Sequence, residues 1–261
     1  MDIALNSSKT GGVRSRGCHI TCYRTNRFKK SELRPWLKKR WCIGKINGKY
    51  VWHREDVSDV YERPYDPLRP QGCFDERPCQ LLGDILVPMP MTPGKPKRED
   101  YEYKRHGTCC VFLAFERHMG FRYVEVREQR TNVDYAQFMK ALVERRYPNV
   151  ERSVLVQDNL NTHSAGSFYE AFAPDEAFEL AQKFEYHHTP VKGSWLNMAE
   201  SELSALARQC RDRRIAATET LRQEASIWTS KRNQDRKTVN WKFNKQKARE
   251  KLAKKYPMHK N

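Results

Sequence analysis

The sequence predicts an α/β domain, a mixed β-sheet flanked by helices, with a short helical segment before it and a basic extension after it. Two observations lead there. Short apolar runs rich in β-branched and aromatic residues are interleaved with longer segments of helical period. Their order is strand, strand, strand, helix, strand, helix, strand, helix, the alternation expected of a mixed sheet covered by helices.

Residues 1–30 have no clear periodicity and few large apolar side chains, and read as a poorly ordered lead. From Ser31 the text is helical and aromatic, with Trp36, Trp41, Tyr50 and Trp52 among basic residues and a short helix around Arg54 to Tyr61. Pro64, Pro67 and Pro70 close that segment as a linker. The main domain opens with QGCFDERPCQ, a strand expected to stop at two acids and a proline. Strands are expected at 108–115 and 121–126, then a helix from Asn132 to Arg146 capped by Asn132 or Asp134, with Tyr135, Phe138, Met139, Leu142 and Val143 at helical spacing. SVLVQDN reads as a short buried strand, Ser167 to Phe184 as helical and Glu185 to Thr189 as a strand. A long helix follows from Trp195 to Arg213.

The formal net charge is +17, and residues 1–48 and 229–261 each carry twelve Lys/Arg against two acids. With +10 at each end, the middle is left at −3. Basic ends on a mildly acidic body suit a protein that grips a polyanion, because Lys and Arg release counterions condensed on phosphates. The eight cysteines form no CxxC pair and read as reduced thiols. Cys18, His19 and Cys22 resemble half a zinc site, but no second half follows. No apolar run reaches the roughly 18 residues of a membrane span, and no secretory signal opens the chain, so a soluble, cytoplasmic protein without a membrane partner is expected.

Asp75 and Asp158 each end an apolar, strand-like run, which places both at strand ends, where open α/β sheets carry their sites. Glu200 lies beside the apolar stripe Leu196, Ala199, Leu203, Leu206 and Cys210 of the last helix. Three gathered carboxylates call for divalent cations, and hard oxygen ligands select Mg²⁺ or Mn²⁺. Taken singly, each acid has an ordinary alternative: Asp158 as a turn or cap, Glu200 as a solvated helix acid, Asp75 with Glu76 as a hydrophilic strand end.

The segments CFDERPCQL (73–81), VLVQDNLNTH (154–163), EYHHTPVKGSWLNMAESELS (185–204) and NWKFNKQKAREKLAKKYP (240–257) resemble bacterial insertion-sequence transposases of the DDE superfamily, in the IS-six-thirty group related to the mariner elements. The resemblance covers roughly residues 31–257 and implies a ribonuclease H-like fold. It makes Asp75, Asp158 and Glu200 the catalytic, metal-holding acids and implies two Mg²⁺ or Mn²⁺ ions. The 41 residues between Asp158 and Glu200 exceed the mariner spacing, and a helical insert around Pro174 to Gln182 accounts for the difference. Relatives carry a longer N-terminal region with helix-turn-helix units, of which only the last part is recognisable here. The expected organisation is a lead (1–30), a remnant of the helix-turn-helix region with its linker (31–70), the catalytic domain (71–228) and a basic segment (229–261).

The implied reaction is metal-assisted hydrolysis of DNA phosphodiesters at the element ends, followed by strand transfer. Lys192, Ser194, Trp195 and Asn197, just before Glu200, are candidates for contacts to the DNA backbone, or else form a structural loop. Asn159 and His163 are candidate orienting groups, and of His187 and His188 at most one faces the site. Trp228, Trp241 and Phe243 are expected to pack onto the main domain, leaving nearby lysines for DNA. The partners implied are terminal inverted repeats and target DNA in duplex form, with a homodimer for synapsis. Two alternatives share these residues: another ribonuclease H-like nuclease, and a DNA-binding remnant that no longer transposes.

Overall fold

The computed structural model describes residues 46–210, 213–253 and 256. The expectations for residues 1–30, and those for Cys18, His19 and Cys22, lie outside the described residues.

Five strands form one sheet in the order β3-β2-β1-β4-β5. Strands β1 (Gln71–Asp84), β2 (Tyr103–Glu116) and β3 (Phe121–Arg127) make an antiparallel meander; β4 (Ser153–Gln157) and β5 (Phe184–His188) join parallel. The helices are α1 (Gly48–Glu62), α2 (Asn132–Arg146), α3 (Gly166–Ala171), α4 (Pro174–Gln182), α5 (Met198–Cys210), α6 (Thr218–Gln234) and α7 (Lys245–Leu252). This is the expected mixed sheet between helices, and among the described residues no helix is long and apolar enough to cross a membrane.

Strand period two sorts the side chains into two cores. On one face Cys73, Val111, Leu113, Val154 and Val156 pack with Val57 and Tyr61 of α1, Leu203 and Leu206 of α5, and Leu221 and Trp228 of α6. On the other, Phe74, Phe112, Ala114 and Leu155 meet Tyr135, Phe138 and Leu142 of α2, with Phe168 of α3 and Leu180 of α4. Phe74 is fully buried against Phe112, Tyr135 and Phe138, so truncating it to alanine would cost about 3–5 kcal/mol. Trp241 packs edge-on to Tyr61 at 5.2 Å, and Phe243 edge-on to Trp195 at 5.4 Å.

Several local expectations need correction. Strand β1 does not stop at the acids but runs 14 residues through Asp75, Glu76 and Pro78. Pro78 is tolerated because β4 pairs only with Gln71, Gly72 and Cys73, so the missing N–H removes no bond on that side. Helix α2 is capped by Thr131, whose hydroxyl accepts from Asp134 N–H while Asp134 returns the bond. The helical stretch after Ser167 is broken in two, with Pro174 opening α4 and Phe184 already in β5. Helix α1 begins at Gly48, well before Arg54, because Asn47 caps it by accepting from Tyr50 N–H. Trp195 belongs to a 3₁₀ turn, Ser194–Leu196, ahead of α5.

Candidate active site

The last pair between β1 and β4 is Cys73 with Val156, and two residues beyond each partner lies an aspartate, Asp75 within β1 and Asp158 just past the end of β4. Adjacent parallel strands in register put such residues side by side at the point where the strands part. The third acid comes from α5. Asn197 Nδ2 donates to the Phe74 carbonyl at 2.7 Å while its Oδ1 accepts from Ala199 N–H at 3.1 Å, fastening the first turn of α5 to β1 beside Asp75. Glu200 lies in that turn with its side chain 36% exposed.

Alternation along β1 divides its consecutive charged residues Asp75, Glu76 and Arg77. Asp75 and Arg77 share the face of Cys73 and hence of α5, and Arg77 Nη2 donates to Glu200 Oε2 at 3.2 Å. Glu76 faces the other way, with its side chain only 3% exposed, and its Oε2 lies 2.9 Å from Nε2 of His163. The other ring nitrogen of His163 is 2.5 Å from Asp158 Oδ1. The ring itself stacks on Tyr135 and meets Phe74 edge-on, both at 5.1 Å. Behind it, Tyr135 donates to Gln157 Oε1 and Gln157 Nε2 donates to the His163 carbonyl, each at 2.8 Å.

Burial raises the Asp75 pKa, and the charges of Glu200, Glu76 and Asp158 raise it further, to about 8. Burial pulls His163 down, but hydrogen bonds to Asp158 and Glu76 outweigh it and leave the ring at about 9. The imidazole is therefore a cation clamped between two carboxylates. Arg77 balances Glu200 and His163 balances Asp158, whereas Asp75 has no ion pair among the described residues. No three His, Cys, Asp or Glu side chains among the described residues converge on one point as they stand. The donor set is carboxylate oxygen around a buried acid that its neighbours repel, which fits a hard divalent cation.

The remaining predicted residues divide. Lys192, Ser194 and Asn159 are exposed, and Trp195 is 48% exposed. Asn197 is 1% exposed and its amide is used inside the fold, so it offers no side-chain contact to DNA. His188 Nδ1 lies 3.2 Å from the Asp158 carbonyl, whereas His187 turns away to Asp56 and Glu185. The sequence marks Glu76 only as a hydrophilic strand end and gives Arg77 no role. Once DER is placed within a strand rather than at its end, period two assigns Arg77 to the Asp75 face and Glu76 to the opposite one.

A mixed sheet with acids where its central parallel strands part, and a third acid on a helix pinned to the same strand, is the framework of a ribonuclease H-like nuclease. The DDE superfamily endonuclease pattern matches residues 72–222, more than half of the chain, and the chain belongs to that family. No curated protein matches it in sequence. Among solved structures it is similar to the Mos1 mariner paired-end complex with Mn, at 16% identity and TM-score 0.52 over 90% of this chain and 69% of that one. It is also similar to a pre-cleavage Mos1 transpososome, at 12% identity and TM-score 0.53 over 99% and 84% of the two chains. For the Mos1 strand transfer complex the values are 14% and 0.52, over 88% and 74%. The likeness is one of fold: a mixed five-stranded sheet flanked by helices, as in the ribonuclease H-like domain of those transposases.

Proposed function

We propose that this protein is a DNA transposase of the IS-six-thirty group of bacterial insertion sequences, cutting DNA phosphodiesters at element ends and transferring the freed strand. The observation that carries the reading is the placement of two acids two residues beyond the last β1–β4 pair, Asp75 within β1 and Asp158 just past β4, with Glu200 on the helix that Asn197 ties to β1. In this reading residues 31–70 derive from a helix-turn-helix region, residues 71–228 form the catalytic domain and residues 229–261 add a basic arm. The partners are duplex DNA, as terminal repeats and target, and a second copy of the chain in synapsis. The place of action is the bacterial cytoplasm, at the nucleoid. The fold neighbours are described as DNA paired-end and strand-transfer complexes, and the +10 charge at each end of the sequence suits the same ligand.

Asp75, Asp158 and Glu200 would hold two Mg²⁺ or Mn²⁺ ions, which when bound supply Lewis acidity at the phosphate and a stronger oxygen nucleophile. The chain's own residues prepare that arrangement. His163 holds the Asp158 carboxylate from behind, through contacts to Glu76 and Tyr135. Asn197 fixes the azimuth of α5 and with it Glu200. Arg77 supplies a positive charge beside Glu200 that can turn to a phosphate oxygen.

The test is nicking of a labelled duplex carrying the inverted repeats that flank the gene, in Mg²⁺ or Mn²⁺, by wild type and Asp158→Asn. End-specific nicking that Asp158→Asn lowers by more than about 10²-fold is expected. Equal activity of the two proteins refutes the three-acid reading, and cutting without preference for the ends refutes the transposase assignment.

A further inference from the structure

Beside Asp158 lies a cavity of about 300 Å³, near the lower end of the range for small-ligand sites. One wall is the opening of α1, with Asn47, Lys49, Tyr50 and His53; the other includes Asn159 and Lys192. Among the described residues two lysines and no acid line it, so that lining is cationic. Burial lowers the pKa of His53, and the charges of His188 and Lys49 lower it further, as expected where positive charge is concentrated. The lining reaches Asp158 through its neighbours. Asn159 follows Asp158 directly, and His188, whose backbone carbonyl bonds His53, has its own ring nitrogen 3.2 Å from the Asp158 carbonyl.

Lys192 is held outward at a cost. Its φ is +62°, the left-handed region that lysine seldom adopts, while Gly193 closes the turn by donating to the Pro190 carbonyl at 2.8 Å. A Cβ on Gly193 would fall 2.5 Å from the Pro190 ring, so the turn tolerates no side chain there. Strain of this kind persists where the surroundings enforce it, and binding sites are where it collects.

We propose that this cavity seats one nucleotide of a DNA strand next to the cleaved phosphodiester, its phosphate between Lys49 and Lys192 and its sugar or base against Asn159 and Tyr50. The assignment rests on the nuclease reading above. A cavity of this size admits one unpaired nucleotide and excludes a duplex, so the strand must fray on that side of the cut. The half-exposed Trp195, three residues after Lys192, gives the next base a surface on which to stack.

The experiment measures binding of the full chain to a fluorescein-labelled duplex with a short single-stranded tail, and to the same duplex fully paired, over a range of salt in Ca²⁺. The proteins are wild type, the Lys49→Ala/Lys192→Ala double variant, Asp158→Asn, and Lys104→Ala as an exposed lysine at the start of β2, outside both basic ends. The double variant is expected to bind tailed DNA about 10-fold more weakly, with the log–log salt slope reduced by about two. Its binding of paired DNA, and the binding of Lys104→Ala to both, should match wild type. Equal losses on the two DNAs, or none, overturn the subsite. If nicking in Mg²⁺ is lost in Asp158→Asn while the double variant binds tailed DNA normally, the subsite alone falls; if Asp158→Asn nicks like wild type, both readings fall.

Discussion

Nδ1 of His163 lies 2.5 Å from Oδ1 of Asp158, so the second acid of the site is held in place from inside the fold. The same ring faces Glu76, a carboxylate whose side chain is 3% exposed. Removing the ring therefore does two separable things. It frees Asp158, which should lower nicking 10–100-fold, the usual effect of losing a group behind a metal ligand. It also leaves the buried Glu76 carboxylate with only the long ion pair to Arg130, at 3.8 Å, which should cost up to about 3–5 kcal/mol. Adding Glu76→Gln to His163→Ala removes that charge and should recover much of the melting temperature but none of the activity. Recovery of both would show that His163 serves stability alone.

Asp75 sets the response to pH and metal. An acid with a folded pKa of about 8, against about 3.9 in an unfolded chain, binds its proton more tightly when folded. Its contribution to stability is full below the unfolded value and is lost as pH rises through 8. Metal-free wild type should lose melting temperature relative to Asp75→Asn between about pH 4 and pH 8, at about 2–4 °C per kcal/mol. Added Mn²⁺ should stabilise wild type most at the alkaline end, where no proton competes, and leave Asp75→Asn little changed. Parallel pH curves for the two metal-free proteins would contradict the raised pKa.

The β5 edge of the sheet has its own charge cluster. His187 lies between Asp56 of α1 and Glu185, at 2.8 and 2.9 Å, and Arg63 and Arg69 also pair with Glu185. Burial pulls His187 down, but the hydrogen bonds to Asp56 and Glu185 raise its pKa on balance. Its contribution is full below about pH 6.5 and fades as pH rises through the higher folded value. Burial raises Glu185, but Arg63, His187 and Arg69 bring it to about 2, so its contribution holds above pH 4.5 and fails as pH falls toward 2. His187→Ala should thus cost more stability near pH 6 than near pH 9 in denaturant titrations. A loss independent of pH would mean the ring acts by packing alone.

Glu202 accepts from Arg122 at 2.8 and 2.9 Å and from Arg232 at 3.1 and 3.0 Å, joining β3, α5 and α6 at a point closed to solvent. Glu202→Ala strands a fully buried guanidinium and should cost about 3–5 kcal/mol. A calorimetric melt should fall by about 10 °C or more. A change under 2 °C would show that water reaches Arg122 and that the network is not sealed.

Much of this architecture is legible in the sequence. The VLV run of β4 and the helical stripe of α2 each report one periodicity, and both elements lie where that pattern places them. Asp158 directly follows β4, where its apolar run places it, whereas Asp75 lies inside β1, which stays paired with β2 through Asp84. What stays hidden depends on partners distant in sequence. QGCFDERPCQ reads as a strand that ends because nothing local says that β2 will pair with it past Pro78. Asn197, in a loop before an acid, reads as a surface group until the Phe74 carbonyl is found 2.7 Å away, 123 residues earlier in the chain. Glu76 has no role until β1 turns it toward His163.

That turn of β1 has a genetic consequence. Asp75 and Glu76 face opposite sides, so an in-frame loss of a single codon between Gln71 and Phe74 would move every later side chain of the strand to the other face. Glu76 would then occupy the position of Asp75, and Asp75 would be driven among the phenylalanines beneath α2. Every acid would survive in the translated product, and a survey that counts motifs in decayed copies would score the gene as intact. Such a copy would be catalytically silent, recognisable only by the spacing between Pro70 and the first acid.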